Sequence, residues 1–177
     1  DAPGEVYYHG DWLNKDWFEK YKDIFLKEFT FPEIEDEKNK KYREQILNSH
    51  SVSIHVRRGD YVSLGMAMDA VHYRRLTEKF IDELKQNSDL EQNIKEWNIF
   101  VFSDDINWCK ENAGEMGLDI FGNIVFVEGN TEGKNYIDLQ LMSMCEGMLM
   151  SNSAFCYLAA LLNTRRKVAV NPTKRNL

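Results

Sequence analysis

The chain has 177 residues, of which 43% are apolar and 29% charged, and its formal net charge is −7. This length and composition suit a globular domain with a substantial core, and the acidic balance argues against nucleic acid as the main partner. No apolar run is long enough to cross a membrane, and no cysteine or histidine spacing indicates a metal site. The cysteines, Cys109, Cys145 and Cys156, lie in apolar periodic segments, which predicts buried, reduced thiols in a cytoplasmic protein.

The first fifty residues differ in pattern from the rest of the chain. Residues 5–12 are aromatic and predict a strand. Asn14 can cap a helix that extends to about Phe29, because aromatic and aliphatic residues recur there at helical spacing. Residues 34–48 are mostly charged and predict a largely exposed helix. We therefore treat residues 1–50 as a lead-in and residues 51–177 as a separate domain.

From residue 51 onwards, short apolar strands alternate with helical patterns. Asp69 can cap a helix after a loop over residues 62–68, and Ser151-Asn152-Ser153 can cap another that extends to about Leu162. Strands that alternate with helices predict an α/β fold, a parallel Rossmann-like sheet with helices on both faces. The strands are predicted at residues 51–56, 97–102, 123–127, 147–150 and 168–170.

The segment SVSIHVRRGDY, residues 51–61, is the most informative stretch of the chain. Its apolar residues alternate with polar ones up to Val56, and Gly59 then ends the strand. Four polar side chains follow one another closely at this point: His55, Arg57, Arg58 and Asp60.

Two adjacent arginines at the end of a strand indicate an anion site. The guanidinium fork fits carboxylate or phosphate oxygens, and open α/β sheets bind ligands beyond the carboxyl ends of their strands. Alternation places Arg57 on the same side as His55, which predicts that Arg57 faces the ligand and that Arg58 is structural or secondary. A solvated surface pair, or an Arg-Gly-Asp adhesion tripeptide at residues 58–60, are the alternatives.

Two further polar clusters follow predicted strands. Ser103-Asp104-Asp105 can cap the next helix, bind a metal or accept hydrogen bonds from a nucleoside. Ser151-Asn152-Ser153 opens an apolar helix whose N-terminal N–H groups can bind phosphate, although capping alone also explains these residues.

Three segments resemble the motifs of the α-1,2-fucosyltransferases, glycosyltransferase family 11. HVRRGDY is similar to their HxRRGDY signature, whose core recurs as HxRRxD in α-1,6- and protein O-fucosyltransferases, and VFSDD resembles their second motif. The run DLQLMSMCEGMLMSNSAFCYLAALLN is similar to a third motif of the form DLxLMSxCxxxIxxNSSFSWWxAxLN. It departs from that form at Ala154, Cys156 and Tyr157-Leu158.

The resemblance implies one domain of a GT-B-like, inverting fucosyltransferase. Its substrates would be GDP-fucose and a galactose-terminated acceptor glycan, joined in α-1,2 linkage without a cofactor or metal. Arg57 would contact the diphosphate, and His55 and Asp60 would orient Arg57 and contact the nucleotide or sugar. A different GDP-sugar transferase, or a nucleotide-sugar- or glycan-binding module without catalysis, are the rival functions. The remaining substrate-binding residues would be Arg58, Asp105 on the nucleoside side, Asn152, Ser153 and Phe155.

The resemblance also bears on the extent of the chain. Family 11 enzymes start with a Gly-rich GGLGNQMFQ-like segment, which this sequence does not contain. We therefore expect either a divergent member of the family or a fragment, in which residues 1–50 come from the acceptor side and residues 51–177 form the GDP-fucose-binding domain. Peripheral membrane association of a full-length protein stays open.

Overall fold

The computed structural model describes residues 15–131 and 133–172. The chain divides into two compact units, residues 1–30 and residues 31–177. In the first unit the structure describes two short helices, α1 (Lys15–Lys20) and α2 (Lys22–Glu28). The strand predicted over residues 5–12 lies outside the described residues.

The single helix predicted from Asn14 to about Phe29 is wrong in one respect, since it is interrupted at Tyr21. The backbone of Tyr21 has φ −117° and ψ 21°, outside the helical region. The interruption is local, because the Tyr21 N–H still donates to the Trp17 carbonyl at 3.0 Å and the Phe25 N–H donates to the Tyr21 carbonyl at 3.0 Å.

The second unit is built on a five-stranded parallel sheet with the order β3-β2-β1-β4-β5. The predicted strands are confirmed, and so is the parallel arrangement. Both alternating sets of side chains in the central strand are buried after His50, which shows that both faces of the sheet are covered. The strands are β1 (His50–Val56), β2 (Trp97–Ser103), β3 (Asn123–Phe126), β4 (Gly147–Leu149) and β5 (Val168–Val170).

Helices connect the strands, and aspartate side chains cap several of them. Asp36 accepts a hydrogen bond from the Asn39 N–H, and Asp69 accepts one from the His72 N–H, as predicted for Asp69. Two short 3-10 helices, Ile94–Glu96 and Leu118–Ile120, precede β2 and β3. The α-helices are α3 (Glu37–Leu47), α4 (Gly59–Ser63), α5 (Ala70–Gln86), α6 (Ile106–Asn112), α7 (Asn135–Met142) and α8 (Ala154–Leu162).

The connection after β1 differs from the prediction. Its first part is helical, because the Val62 N–H donates to the Arg58 carbonyl at 2.9 Å and the Leu64 N–H donates to the Asp60 carbonyl at 3.1 Å. The loop predicted over residues 62–68 therefore begins inside α4. This short helix turns the chain immediately after the two arginines.

Helix α3 belongs to the second unit, whereas the sequence pattern placed it in the lead-in. The hydroxyl of Tyr42 on α3 donates to the Phe126 carbonyl at the end of β3, at 3.2 Å. Although most of its residues are charged, α3 is therefore anchored to the sheet. The division of the chain lies between Thr30 and Phe31 rather than after residue 50.

The order of the strands reverses direction at β1. The chain moves outward to β2 and β3 on one side and then returns to place β4 and β5 on the other. The carboxyl ends of β1 and β4 therefore flank a topological switch point, where open α/β sheets form their binding crevice. Arg57 and Ser151 follow soon after these two ends.

The core packs tightly against the central strands. The rings of Phe80 and Trp97 are 5.4 Å apart and nearly perpendicular. Cys109, Cys145 and Cys156 are free and buried, as predicted. None of the helices within residues 15–131 and 133–172 has both the length and the apolar character that crossing a bilayer requires.

Replacing Gly147 with Ala should destabilise this core. A β-carbon at Gly147 would lie 2.7 Å from Cε2 of Phe80 and 3.0 Å from Cγ2 of Val52, so the packed side chains would have to move. We expect the free energy of unfolding to fall by about 1–3 kcal/mol, measured by urea denaturation followed by circular dichroism.

The matched control is Gly114→Ala. A β-carbon at Gly114 would meet no heavy atom within 4 Å among the described residues, so we expect a change within about 0.5 kcal/mol. Equal effects of the two substitutions would contradict the close packing at Gly147.

Candidate active site

A cleft of about 680 Å³ opens at the carboxyl edge of the sheet. It is lined by the ends of β1 and β2, the loop after β3, and the first residues of α7 and α8. Five of the eight predicted site residues line it, and the other three, Arg58, Asp105 and Asn152, do not. The five are His55, Arg57, Asp60, Ser153 and Phe155.

Arg57 is held between two carboxylates at the cleft. Its Nη2 donates to Oδ1 of Asp60 at 2.7 Å, and its Nη1 lies 2.8 Å from Oδ2 of Asp104. The guanidinium carbon is 5.4 Å from the centroid of the Tyr61 ring. Among the described residues that line the cleft, Arg57 is the one Lys or Arg side chain. An anion in this cleft therefore has one arginine to bind.

Arg58 has a different environment. Its guanidinium carbon lies 4.0 Å from the centroid of the Trp108 ring, and its Nε is 3.3 Å from Oδ2 of Asp105. The side chain of Arg58 is 17% exposed, against 36% for Arg57. The two arginines thus separate as the alternation argument predicts, with Arg57 at the cleft and Arg58 packed on an aromatic ring.

Asp105 has structural partners outside the cleft. Its Oδ1 accepts a hydrogen bond from the Trp108 N–H at 3.2 Å, which caps α6, and its Oδ2 pairs with Arg58. Capping, the alternative left open for the Ser103-Asp104-Asp105 cluster, is therefore observed for Asp105. Its contact with a nucleoside stays a prediction.

His55 is buried at the floor of the cleft. Its Nδ1 is 2.7 Å from Oγ of Ser151, and its ring centroid is 5.5 Å from that of Phe155. Burial, together with the positive charge of Arg57, lowers the pKa of His55 to about 3. The imidazole is therefore neutral at physiological pH and acts by hydrogen bonding and packing.

The start of α8 forms another wall of the cleft. Ser153 is the N-cap, and its Oγ accepts a hydrogen bond from the Phe155 N–H at 3.3 Å. The side-chain amide of Asn152 donates instead to the Met66 carbonyl at 2.9 Å, which fastens the loop after α4. Ser153 and Phe155 thus line the cleft, whereas the Asn152 side chain contacts a neighbouring loop; the roles of all three in substrate binding stay predictions.

A series of hydrogen-bonded side chains at the cleft was assigned no role from the sequence. Nδ2 of Asn130 donates to Oδ1 of Asp138 at 2.7 Å, and the amides of Asn130 and Asn39 exchange hydrogen bonds of 2.7 and 3.0 Å. Burial raises the pKa of Asp138 to about 6. Asp138 carried a signal in the third motif, whereas Asn130 comes from a loop and has its partner 91 positions away.

The described acidic side chains at the cleft do not form a group that could bind a metal ion. Within residues 15–131 and 133–172, no three histidine, cysteine or carboxylate side chains are placed to hold one ion. Asp104 and Asp105 are instead paired with Arg57 and Arg58.

The buried His55 predicts a pH dependence of stability. The unfolded histidine takes up a proton near pH 6.5, whereas the folded one does so only near pH 3, so protonation favours the unfolded chain between these values. His55→Asn removes this titration while its amide keeps a hydrogen bond within reach of Ser151. When the pH falls from 7 to 4.5, the free energy of unfolding of the wild type should decrease by about 2 kcal/mol more than that of the variant.

Urea denaturation at several pH values measures this difference. Comparison with the variant is needed because Asp138 titrates in the opposite sense: its raised pKa adds stability as the pH falls. Parallel pH profiles for the wild type and His55→Asn would contradict the neutral, buried state of His55.

The chain is similar in sequence to a known protein family and to several of its characterised relatives. Residues 3–176 match the profile of the family described as Glycosyl transferase family 11. The chain is 33% identical over 171 residues to an Escherichia coli alpha-1,2-colitosyltransferase, covering 96% of this chain and 56% of that protein. It is 28% identical to galactoside alpha-(1,2)-fucosyltransferase 2 of Mus musculus, covering 77% of this chain and 39% of the relative.

Two solved structures resemble the chain more distantly. Escherichia coli ADP-heptose lipopolysaccharide heptosyltransferase II shares 15% identity with a TM-score of 0.47, covering 77% of this chain and 38% of that one. POFUT1 in complex with GDP shares 18% identity with a TM-score of 0.42, covering 76% of this chain and 46% of that one. The profile match extends over nearly the whole sequence, and the chain therefore belongs to glycosyltransferase family 11.

Proposed function

We propose that this chain is the donor-binding part of an inverting α-1,2-fucosyltransferase. The enzyme would transfer L-fucose from GDP-fucose to a hydroxyl group of a galactose-terminated acceptor glycan. The observation that carries the proposal is the position of Arg57, whose guanidinium lines a cleft at the switch point of the sheet. Family membership supports the glycosyl transfer itself.

In the proposed reaction, negative charge develops on the leaving group, and the site must supply positive charge to stabilise it. The bond between the anomeric carbon and the diphosphate oxygen breaks, and its electron pair leaves with GDP. The acceptor oxygen attacks the opposite face of the sugar and loses its proton. Arg57 and the N–H groups at the start of α8 would stabilise the charge that develops on the diphosphate.

The other predicted residues would support this arrangement. Neutral His55 would orient Ser151 and the Phe155 ring through the contacts described above. Asp60, whose side chain is 57% exposed, is the candidate for contact with the sugar or for taking the acceptor proton. Asp138, with its raised pKa, is a hydrogen-bond acceptor on the far wall of the same cleft.

The relatives support the α-1,2 linkage more directly than the identity of the sugar. The names of the E. coli and mouse relatives share this linkage, but one transfers colitose and the other fucose. Colitose is fucose without its 3-hydroxyl group. A colitosyl donor is therefore the second candidate, favoured by the 33% identity that extends over 96% of the chain.

The acceptor side of the reaction needs more than this chain shows. The chain spans about half of the length of the E. coli colitosyltransferase, 56%, and 39% of the mouse fucosyltransferase. In a GT-B-like enzyme, a second domain would close the cleft, position the acceptor hydroxyl and exclude water. We therefore expect this chain alone to bind the donor and to transfer sugar slowly or not at all.

Calorimetric titration of the chain with GDP-fucose, GDP-mannose and GDP tests the proposal. We expect GDP-fucose and GDP to bind, GDP-mannose to bind more weakly than GDP-fucose, and EDTA to leave these affinities unchanged. Engagement of Asp104 and Asp105 by arginines supports this proposed metal independence.

Binding lost in EDTA and restored by Mg²⁺ or Mn²⁺ would contradict the metal-independent mechanism. Equal affinity for GDP-mannose and GDP-fucose would contradict a fucosyl donor. A longer protein containing this chain separates the remaining alternatives: transfer to galactose-terminated acceptors from a fucosyl but not a colitosyl donor supports the first candidate. Binding without any transfer would indicate a module that only binds nucleotide sugars.

The two arginines should contribute unequally to donor binding. Arg57→Ala removes the one arginine that the structure describes in the lining of the cleft. We expect the affinity for GDP to fall by about 10- to 100-fold, as for a lost charge-assisted contact. Arg57→Lys should restore little, because a single ammonium cannot reproduce the guanidinium fork. Arg58→Ala should weaken binding less, since Arg58 packs on Trp108 outside the cleft.

Circular dichroism and thermal melts serve as controls for folding of the three variants. In a full-length enzyme the same order should hold for transfer, with Arg57→Ala abolishing measurable activity. A well-folded Arg58→Ala variant that binds GDP more weakly than Arg57→Ala would show that the roles of the arginines are reversed.

A further inference from the structure

Both terminal nitrogens of Arg57 have anionic partners. Nη2 pairs with Asp60 and Nη1 pairs with Asp104. The guanidinium carries five N–H donors, so N–H groups remain for a diphosphate, but the negative charge of that ligand repels both nearby carboxylates. Binding of an anion to Arg57 therefore favours the loss of its contact with the aspartate that is held less firmly.

The Asp60 contact is the weaker of the two. Its side chain is 57% exposed, and it lies three residues after Arg57 on the same short stretch of chain. Within the described residues, its carboxylate has Arg57 as its side-chain partner. Exposed pairs of this kind contribute little to stability, because water and salt screen them.

The Asp104 carboxylate is fixed at both oxygens. Its Oδ1 accepts a hydrogen bond from the backbone N–H of Arg58 at 2.9 Å, while its Oδ2 pairs with Nη1 of Arg57. Its side chain is 27% exposed, less than half the exposure of Asp60. A single carboxylate thus holds both the backbone and the side chain of the turn that follows β1.

Gly59 makes the approach of Asp104 possible. A β-carbon at residue 59 would lie 2.6 Å from Oδ2 of Asp104, closer than non-bonded atoms approach. The absence of a side chain at this position therefore allows the carboxylate to reach Arg57. This contact is independent of the hydrogen bonds and points to the same fixed placement.

We propose that Asp104 is a positioning residue that holds Arg57 toward the cleft both before and after the donor binds, whereas Asp60 is a place-holder that gives up Nη2 to the diphosphate. The identity of the anion rests on the proposed function, and the arrangement of the carboxylates does not. Asp104 would keep the guanidinium oriented after Asp60 has left. Movement of Asp60 away from Arg57 would also reduce the repulsion between the Asp60 carboxylate and the phosphates.

Binding of inorganic pyrophosphate and of GDP to matched variants tests this assignment. We expect Asp104→Asn to weaken both affinities by about tenfold or more, the effect of losing one charge-assisted contact. Asp60→Asn should bind both probes at least as tightly as the wild type. In an Arg57→Ala background, Asp104→Asn should cause no further loss, because its effect acts through Arg57.

Nuclear magnetic resonance of the Arg57 guanidinium group gives a readout that general destabilisation would not move. In the ligand-free chain, Asp104→Asn should increase the motion of the Arg57 side chain, and Asp60→Asn should leave it ordered. Addition of pyrophosphate to the wild type should shift the Asp60 carboxyl resonance and leave that of Asp104 in place.

The outcomes separate this inference from the proposed function. Equal losses for Asp60→Asn and Asp104→Asn, or additive losses with Arg57→Ala, overturn it. A wild-type chain that binds neither probe also overturns the exchange at Asp60. Binding of pyrophosphate without any preference for GDP or GDP-fucose would leave the positioning role standing and refute the proposed donor.

Discussion

The pairing of two arginines with two aspartates across neighbouring strands organises the site. Strands β1 and β2 are parallel and in a register that sets Val56 opposite Ser103, so the residues that follow each strand emerge side by side. Arg57 then meets Asp104 and Arg58 meets Asp105. Adjacent guanidinium groups would otherwise repel each other at the end of β1. The carboxylates remove this repulsion and also direct the two arginines to different surroundings, one at the cleft and one on Trp108.

Among the described residues that line it, the cleft combines one cationic side chain with polar groups that are neutral or acidic. His55 is uncharged because burial prevents its protonation, and Asp138 holds its proton more tightly than an exposed aspartate for the same reason. Specific binding of an anion at this edge would therefore depend on Arg57 and on backbone N–H groups rather than on a general positive potential. This agrees with the net charge of −7, which gives the protein no long-range attraction for anions.

Periodicity predicted the architecture because the central strands are short, apolar and bounded by turn residues. All five strands of the sheet were found this way, and the cap at Asp69 was recognised from its residue type alone. The prediction was less accurate where local preference is weak. The interruption at Tyr21, the short helix α4 and the membership of α3 in the second unit depend on backbone geometry and long-range contacts, which residue patterns do not encode.

The sequence by itself determined the fold class, the position of the arginine pair at the end of the central strand, and the motifs that resemble family 11. These features reside in contiguous residues, so spacing and residue type are enough to reveal them. Only the tertiary structure decided which carboxylate holds which arginine, which of the eight predicted residues line the cleft, and that Asn130 and Asp138 join them. The partners of Arg58 lie 46 and 47 positions away in the sequence. Asn39 and Asn130, which bond to each other, lie 91 positions apart. Contacts at such separations are created by strand order and register, and no local pattern specifies them.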